Sequence, residues 1–427
     1  MFDIDRSDPM VIGQRLADAR KARGVTQEGA AAHLGCSRPT LIAVEKGTRP
    51  AKPEEIVKLA ALYGRSVHEI VRPGAPDVAL APHLRAAIEP SRGDAENLER
   101  AIAGLERWAT DYRELERLAG AKAFENYPPQ VELPSRVRLQ EYAEDVALRE
   151  RAWLRAGDQP ILNLRRLLEN DVGLRVFCEP MPSQVAGLYA SAAAIGYCVL
   201  LNRKHRPERQ RFTLAHEYGH FLCDRHKPGV DYLTTEKRRP VNERFADAFA
   251  ISFLVPRTSL RRYFLDTVAR TGDFRVEDLC RLSSLYAVSV QAATLRLEEL
   301  CLVRRGTSDW LREKGFRPAA AQDELGVAPP TLESQEPYPE RYKYLAVEAF
   351  RQGKISEGQL ARFLRCDRVS AREIVEECVT RWETDREGRE AFLRAPVAGS
   401  LLTGPARDAD VAGGQEGLNA AARVTPI

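Results

Sequence analysis

His216-Glu217-Tyr218-Gly219-His220 sets two histidines four residues apart with a glutamate directly after the first. Residues four apart in a helix share a face, and the surrounding sequence reads as a helix from about Pro207 to Cys223. Two imidazole nitrogens can then meet one Zn2+, with Glu217 beside the position where a water binds. Two core histidines that happen to share a face are the alternative. A single helix supplies only two ligands, so the zinc reading needs a third. Residues 242–250 read as a second helix in which Glu243 and Asp247 are again four apart. One carboxylate of such a pair can bind the ion while the other accepts the N–H of a ligating histidine and fixes its tautomer. Phe245, Ala246, Phe249 and Ala250 make most of that helix apolar, and a carboxylate among them needs a partner. We read Glu243 as the ligand and Asp247 as the acceptor; a solvated acidic face is the other reading. Cys223, three residues past His220, could also reach a metal, but a small core residue is the plainer assignment.

Zinc with three protein ligands keeps a fourth position for water, lowers that water's pKa to about 7 and polarises a carbonyl. Glu217 would take the proton and return it to a leaving amine. Tyr189, Tyr197 and His226 are candidate donors to the oxyanion, and nothing in the sequence selects among them. Three strands precede the zinc helix, at 173–178, 186–190 and 197–202. They predict a small sheet whose edge strand could hold an extended peptide by main-chain hydrogen bonds. Arg203, Lys204, His205, Arg206, Arg209 and Arg211 form a basic run that reads as a solvated face.

The stretch from Arg211 to Phe221, followed by Asn242-Glu243, Phe245 to Ala250 and Leu254-Val255-Pro256, resembles the ImmA/IrrE family of zinc metallopeptidases. Ala186-Gly187-Leu188-Tyr189 and Val199 to Asn202 resemble its small sheet, and the likeness covers roughly residues 160–305. The resemblance implies a zincin-like α+β domain in which His216, His220 and Glu243 bind zinc and Glu217 is the base. It also implies substrates that are usually repressor proteins, cut in stress responses or mobile-element induction. The chain departs from the family at Tyr218, where an aliphatic residue is commoner; Tyr218 is expected to face away from the metal.

Residues 10–72 predict five short helices. Thr26 caps the second, Gly35-Cys36 turns the chain, and Ser37 caps the third, with Pro39 in its first turn. Two short helices joined by a tight turn match helix-turn-helix geometry, with the second lying in the major groove. Ser37, Arg38 and Thr40 would meet base edges, Pro39 a thymine methyl, and Gln27 a phosphate. The segment resembles the XRE (Cro/phage-repressor) type of domain, through Thr26-Gln27, the Leu34 to Ser37 turn and Ile42 to Gly47. Twelve Lys and Arg against nine Asp and Glu in residues 1–72 leave a mild positive charge, so a protein-binding domain of this shape is the competing reading. One recognition helix reads a half-site, so a homodimer on double-stranded DNA is expected.

The whole chain of 427 residues has a formal charge of +3, too mild to announce nucleic acid by itself. No apolar run can span a bilayer and the start is polar, which predicts no membrane partner. Eight scattered cysteines without a CxxC pair read as reduced thiols of a cytoplasmic protein. Residues 73–135 are expected to be a linker and a connecting helix, whose stripe Leu98, Ile102, Leu105, Ala109 and Tyr112 either dimerises or packs on its own peptidase domain. The peptidase domain spans 136–305, a linker 306–340, a helical module 341–395 and a disordered tail 396–427. In the module, Ile355 to Ala361 resembles a helix-turn-helix start without a basic tip, which suggests packing or interaction. The fold class is mainly α and multidomain. The function expected is a DNA-binding regulator and zinc endopeptidase that cuts a repressor-like protein. The alternative is a transcription factor or antitoxin-like regulator whose peptidase fold senses a ligand or partner without proteolysis.

Overall fold

The computed structural model describes residues 9–23, 25–63, 67–71, 95–122, 125–134, 138–192, 195–225, 229–232, 240–327, 336–379, 383–384 and 390–391. The chain is mainly α-helical, and its apolar residues gather into three clusters.

The first cluster belongs to α1 (Pro9–Ala22), α2 (Gln27–Leu34), α3 (Arg38–Glu45), α4 (Pro53–Tyr63) and α5 (Val67–Val71). Thr26 accepts from the Gly29 N–H and Ser37 from the Thr40 N–H, so both α2 and α3 start on a side-chain cap. Gly35 joins them at φ 70°, a left-handed conformation that glycine adopts without steric cost. Leu16, Ala30, Leu41, Ile56 and Leu59 are fully buried. The Arg20 guanidinium is clamped on Glu45 at 2.6 Å beneath α3.

The sheet organises the rest. The helix α6 (Ala95–Ala119) is followed by α7 (Leu139–Trp153) and α8 (Leu164–Leu167), which runs into a π-helical turn at Leu168–Val172. Then come β1 (Arg175–Glu179), β2 (Val185–Ala192), β3 (Gly196–Asn202), α9 (Pro207–Cys223), β4 (Gly229–Tyr232) and α10 (Val241–Leu254). The strand order is β1-β3-β2-β4, with β1 parallel to β3 and the other two pairings antiparallel. Side chains alternate across a strand, and here both faces are covered. Val176, Cys178, Tyr189, Val199 and Leu201 face a core shared with α7, α9 and α10. Phe177, Leu188, Ala190, Cys198 and Leu200 face the opposite way, onto α6. A strand buried on both sides reads as a continuous apolar run, which is why β3 does.

Two expectations change here. The described sheet has a fourth strand beyond the three expected: Val185, Gly187, Leu188 and Tyr189 pair with β4, which lies with β1 at the two ends of the sheet. The stretch 306–340 is not a plain linker. It carries α14 (Thr307–Glu313) and α15 (Pro318–Glu324), which follow α11 (Arg257–Thr271), α12 (Val276–Tyr286) and α13 (Val290–Glu299). Leu311 is buried in the core shared with α7, α9 and α10, and Phe316, Ala321 and Leu325 pack on it. Enough apolar side chains are spaced through that polar sequence to anchor it.

The stripe of α6 packs on the chain's own sheet. Leu98, Ile102, Leu105, Ala109 and Tyr112 share their cluster with β1–β3 and with α16 (Glu340–Arg351), α17 (Glu357–Leu364) and α18 (Arg368–Val379). Trp108 stacks on Phe177 at 5.6 Å and meets Tyr342 edge-on at 5.5 Å. Glu116 of α6 receives Arg175 of β1 at 3.2 Å and Arg341 of α16 at 2.6 Å. The module α17–α18 repeats the construction of α2–α3: an eight-residue helix on a capping hydroxyl, a left-handed residue (Arg365, φ 51°), then a cysteine, a capping side chain and an arginine. Arg365 pairs with Glu179 at 2.8 Å and lies over the Trp108 ring, while Arg372 pairs with Glu357 at 2.9 Å. The short strands Glu383–Thr384 and Glu390–Ala391 pair as a separate ribbon. The tail from residue 396, the connection 72–94 and His226 lie outside the described residues. Among the described residues no helix is long and apolar enough to cross a membrane.

Candidate metal centre

The site is built where α9 and α10 cross. Pro207 occupies the first turn of α9, where its missing N–H leaves no bond unmade. From Gln210 onward nearly every residue of this helix is buried, so the His216-to-His220 segment is held rigidly. Gly219 sets the crossing distance. A Cβ there would stand 2.9 Å from Ala246 Cα and 3.3 Å from Phe249 Cδ1. The close approach brings the first turn of α10, with Glu243, over the two imidazoles.

Three donor atoms converge. His216 Nε2 and His220 Nε2 are 3.1 Å apart. Glu243 Oε1 lies 3.2 Å from His220 Nε2, and Oε2 lies 3.6 Å from His216 Nε2. Ligands on a tetrahedral zinc with normal bond lengths stand about 3.3 Å from one another, so the donor set and its spacing fit that ion. Burial opposes the charge on Glu243, but its contacts with His216 and His220 outweigh this and hold the carboxyl well below the usual carboxylate range. Asp247, one turn along α10, meets His216 Nδ1 at 3.0 Å. A carboxylate there makes Nδ1 the protonated nitrogen and leaves Nε2 free to ligate. His216 is almost fully buried, whereas the Glu243 side chain is 28% exposed, so the centre opens to solvent on the α10 side.

Glu217 is buried beside β2. A Cβ on Gly187 would come within 3.2 Å of its Oε1 and 2.9 Å of Thr213 Cγ2, so the bare backbone at Gly187 makes the room for the Glu217 carboxylate. Neither Gly187 nor Gly219 was singled out by sequence reasoning. The only signal was a glycine inside each otherwise apolar segment, which marks a close backbone approach. Tyr218 points away from the metal face, as expected. Its hydroxyl donates to buried Glu150 of α7 at 2.6 Å, and its ring packs among Phe221, Phe249 and Phe253. Burial raises the Glu150 carboxyl, and the Tyr218 hydroxyl partly offsets this.

The oxyanion candidates fare less well. The Tyr189 hydroxyl donates to the Asp224 and Arg225 carbonyls at 2.8 and 2.6 Å, so it fastens the end of α9. Tyr197 stands edge-on to Phe221 at 4.6 Å. In the basic run, Arg211 is buried and bonded to the Ile161 carbonyl, so it is not part of a solvated face; Arg203, Lys204, Arg206 and Arg209 are exposed.

In the N-terminal domain, Ser37, Arg38 and Pro39 are exposed at the start of α3, and the Ser37 and Thr40 hydroxyls lie 2.8 Å apart. Gln27 is turned inward, donating to Glu45 Oε2 at 3.0 Å, and is not held out toward a phosphate.

A helix-turn-helix domain followed by a metallopeptidase-like domain is thus the class that fold and site define. Residues 169–298 match the family model described as the IrrE N-terminal-like domain of the M78 peptidases, and residues 11–72 match a helix-turn-helix domain model. The cryptic phage CTXphi transcriptional repressor RstR of Vibrio cholerae is 36% identical over 61 residues, which is 14% of this chain and 55% of the repressor. The chain therefore spans about half the length of that relative. Among solved structures, PlcR of Bacillus thuringiensis, in complex with a peptide and DNA, overlays at 10% identity, with 86% of this chain and 92% of that one covered and a TM-score of 0.15. ComR of Streptococcus suis overlays at 12% identity, 87% and 89% coverage and the same TM-score. Overlays this loose carry no argument.

Proposed function

We propose that this chain is a DNA-binding transcriptional regulator and a zinc-dependent endopeptidase that cuts a repressor-like protein in a stress or mobile-element response. The observation that carries the peptidase reading is the convergence of His216 Nε2, His220 Nε2 and the Glu243 carboxylate, with Glu217 buried beside them. Zinc bound by these three residues would supply a water of lowered pKa and a polarised peptide carbonyl. Glu217 would accept a proton from the attacking water and return it to the leaving amine. Asp247 holds the His216 ring in the tautomer that ligates through Nε2. The substrate is a flexible loop or linker of another protein, because only an extended segment can present its backbone to a centre this buried.

The test is Glu217→Gln in the full chain. Metal content should be unchanged, and cleavage of a co-expressed candidate repressor should fall by at least about 100-fold. If regulation survives intact in that variant, the protein acts as a non-proteolytic sensor instead.

For the N-terminal domain, α3 enters the major groove as a dimer pair on double-stranded DNA, with Ser37, Arg38, Pro39 and Thr40 at the base edges. Arg38→Ala should weaken operator binding by about 1–3 kcal/mol and relax sequence preference at one position per half-site. A gel-shift series on the promoter checks this; unchanged affinity and selectivity would remove Arg38 from the interface.

A further inference from the structure

We propose that His220, Cys223 and Asp224 form a second position for a soft divalent metal, which competes with the first centre for His220. This inference rests on the zinc reading of His216, His220 and Glu243. The helix α9 puts His216, His220 and Cys223 on one face at steps of four and three residues, and Asp224 follows four after His220. Ligand atoms of His220, Cys223 and Asp224 all lie within 4.8 Å of one another. His220 and Cys223 are buried, and Asp224 is half-buried.

The last turn of α9 is fastened from several directions. The Phe221 carbonyl accepts from Arg225 Nε at 3.2 Å and the Leu222 carbonyl from the Val131 N–H at 2.8 Å. The Cys223 carbonyl accepts from Gln130 Nε2 at 2.8 Å, and the Asp224 carbonyl from the Tyr189 hydroxyl at 2.8 Å. Helix ends ordinarily leave such carbonyls to water. Here Cys223 and Asp224 are held in register with His220, as a preorganised ligand group requires.

The chemistry differs from the first centre by one sulfur. Imidazole, thiolate and carboxylate favour thiophilic ions such as Cd2+ or Zn2+ over Mg2+ or Ca2+. Binding forms a metal–sulfur bond and releases the thiol proton to solvent, with no change of oxidation state. Because His220 belongs to both groups, an ion that takes its Nε2 for the second position strips the first of one imidazole. Surplus soft metal would therefore switch the hydrolytic centre off.

The experiment titrates the full-length, metal-stripped protein with Cd2+ and follows the ultraviolet thiolate-to-cadmium absorption, with bound Zn2+ measured in parallel. Wild type should show the band, and Cd2+ should displace Zn2+ as it grows. Cys223→Ser should lose the band, with Cd2+ affinity down by more than about tenfold. His216→Ala should weaken Zn2+ binding but keep the band, which separates the two positions. Asp224→Asn should keep the band at lower Cd2+ affinity, and serves if the serine variant folds poorly. A wild type without the band, or a band that survives Cys223→Ser, overturns the second position. Cadmium binding that leaves Zn2+ in place overturns the competition alone. Failure of wild type to bind Zn2+ at all sinks the first reading and the competition with it.

Discussion

In the Glu243→Ala protein, added zinc should no longer raise the melting temperature. A ligand that binds only the folded state stabilises it by about 4 kcal/mol when its free concentration is a thousand times its dissociation constant. For a folded unit of 150–250 residues this corresponds to a rise of roughly 10 °C. Two imidazoles 3.1 Å apart cannot by themselves complete the three-ligand set, so removing the carboxylate should cost most of that shift. The metal-free protein should be little affected, because Glu243 lies at the open side of the site with its side chain 28% exposed. Scanning calorimetry with and without zinc, together with metal analysis, checks both halves. A full zinc-dependent shift in the variant would mean that Glu243 is not a ligand.

Gly219→Ala is expected to damage both stability and metal binding. The added methyl would sit 2.9 Å from Ala246 Cα and 3.2 Å from Ala246 Cβ. A backbone atom cannot give way as a flexible side chain does, so α9 and α10 must move apart. Overpacking of this kind costs about 1–3 kcal/mol. The displaced helix carries Glu243 and Asp247, so zinc affinity should fall by roughly tenfold or more, as when supporting contacts of a metal site are disturbed. Gly353→Ala is the control for glycine loss away from the crossing: its added methyl would meet no heavy atom within 4 Å, although the positive φ there adds strain of its own. Denaturation and zinc titration of both variants should show the affinity loss only for Gly219→Ala.

The helix α9 was legible in the sequence because the chemistry of its histidines and the helical period coincide in it. The second helix was legible because a carboxylate pair stood out against phenylalanines and alanines. What could not be read was distance. Nothing in the local sequence tells how closely α9 and α10 cross, and the glycine that decides it is one letter inside a motif named for its other residues. β4 escaped because Gly229 to Tyr232 is too short to show an alternation and pairs with residues some forty positions earlier. The stripe on α6 was visible as a stripe, yet its partner was ambiguous. An apolar face states that it must be covered and leaves open by what, until Phe177, Leu188 and Leu200 are seen beneath it. The segment 306–340 misled because composition outweighed pattern: a few anchoring apolar residues, Leu311 and Phe316 among them, suffice to hold two short helices against a large core.

The helix before the family match and the module after it meet on the back of the same sheet, where Trp108, Phe177 and Tyr342 interlock. The segment that matches the peptidase model is therefore not a detachable cassette. Excised at 169–298, it would turn Phe177, Leu188 and Leu200 outward as a sticky wall. The domain that carries the candidate metal centre is therefore braced by neighbours at both flanks of the polypeptide.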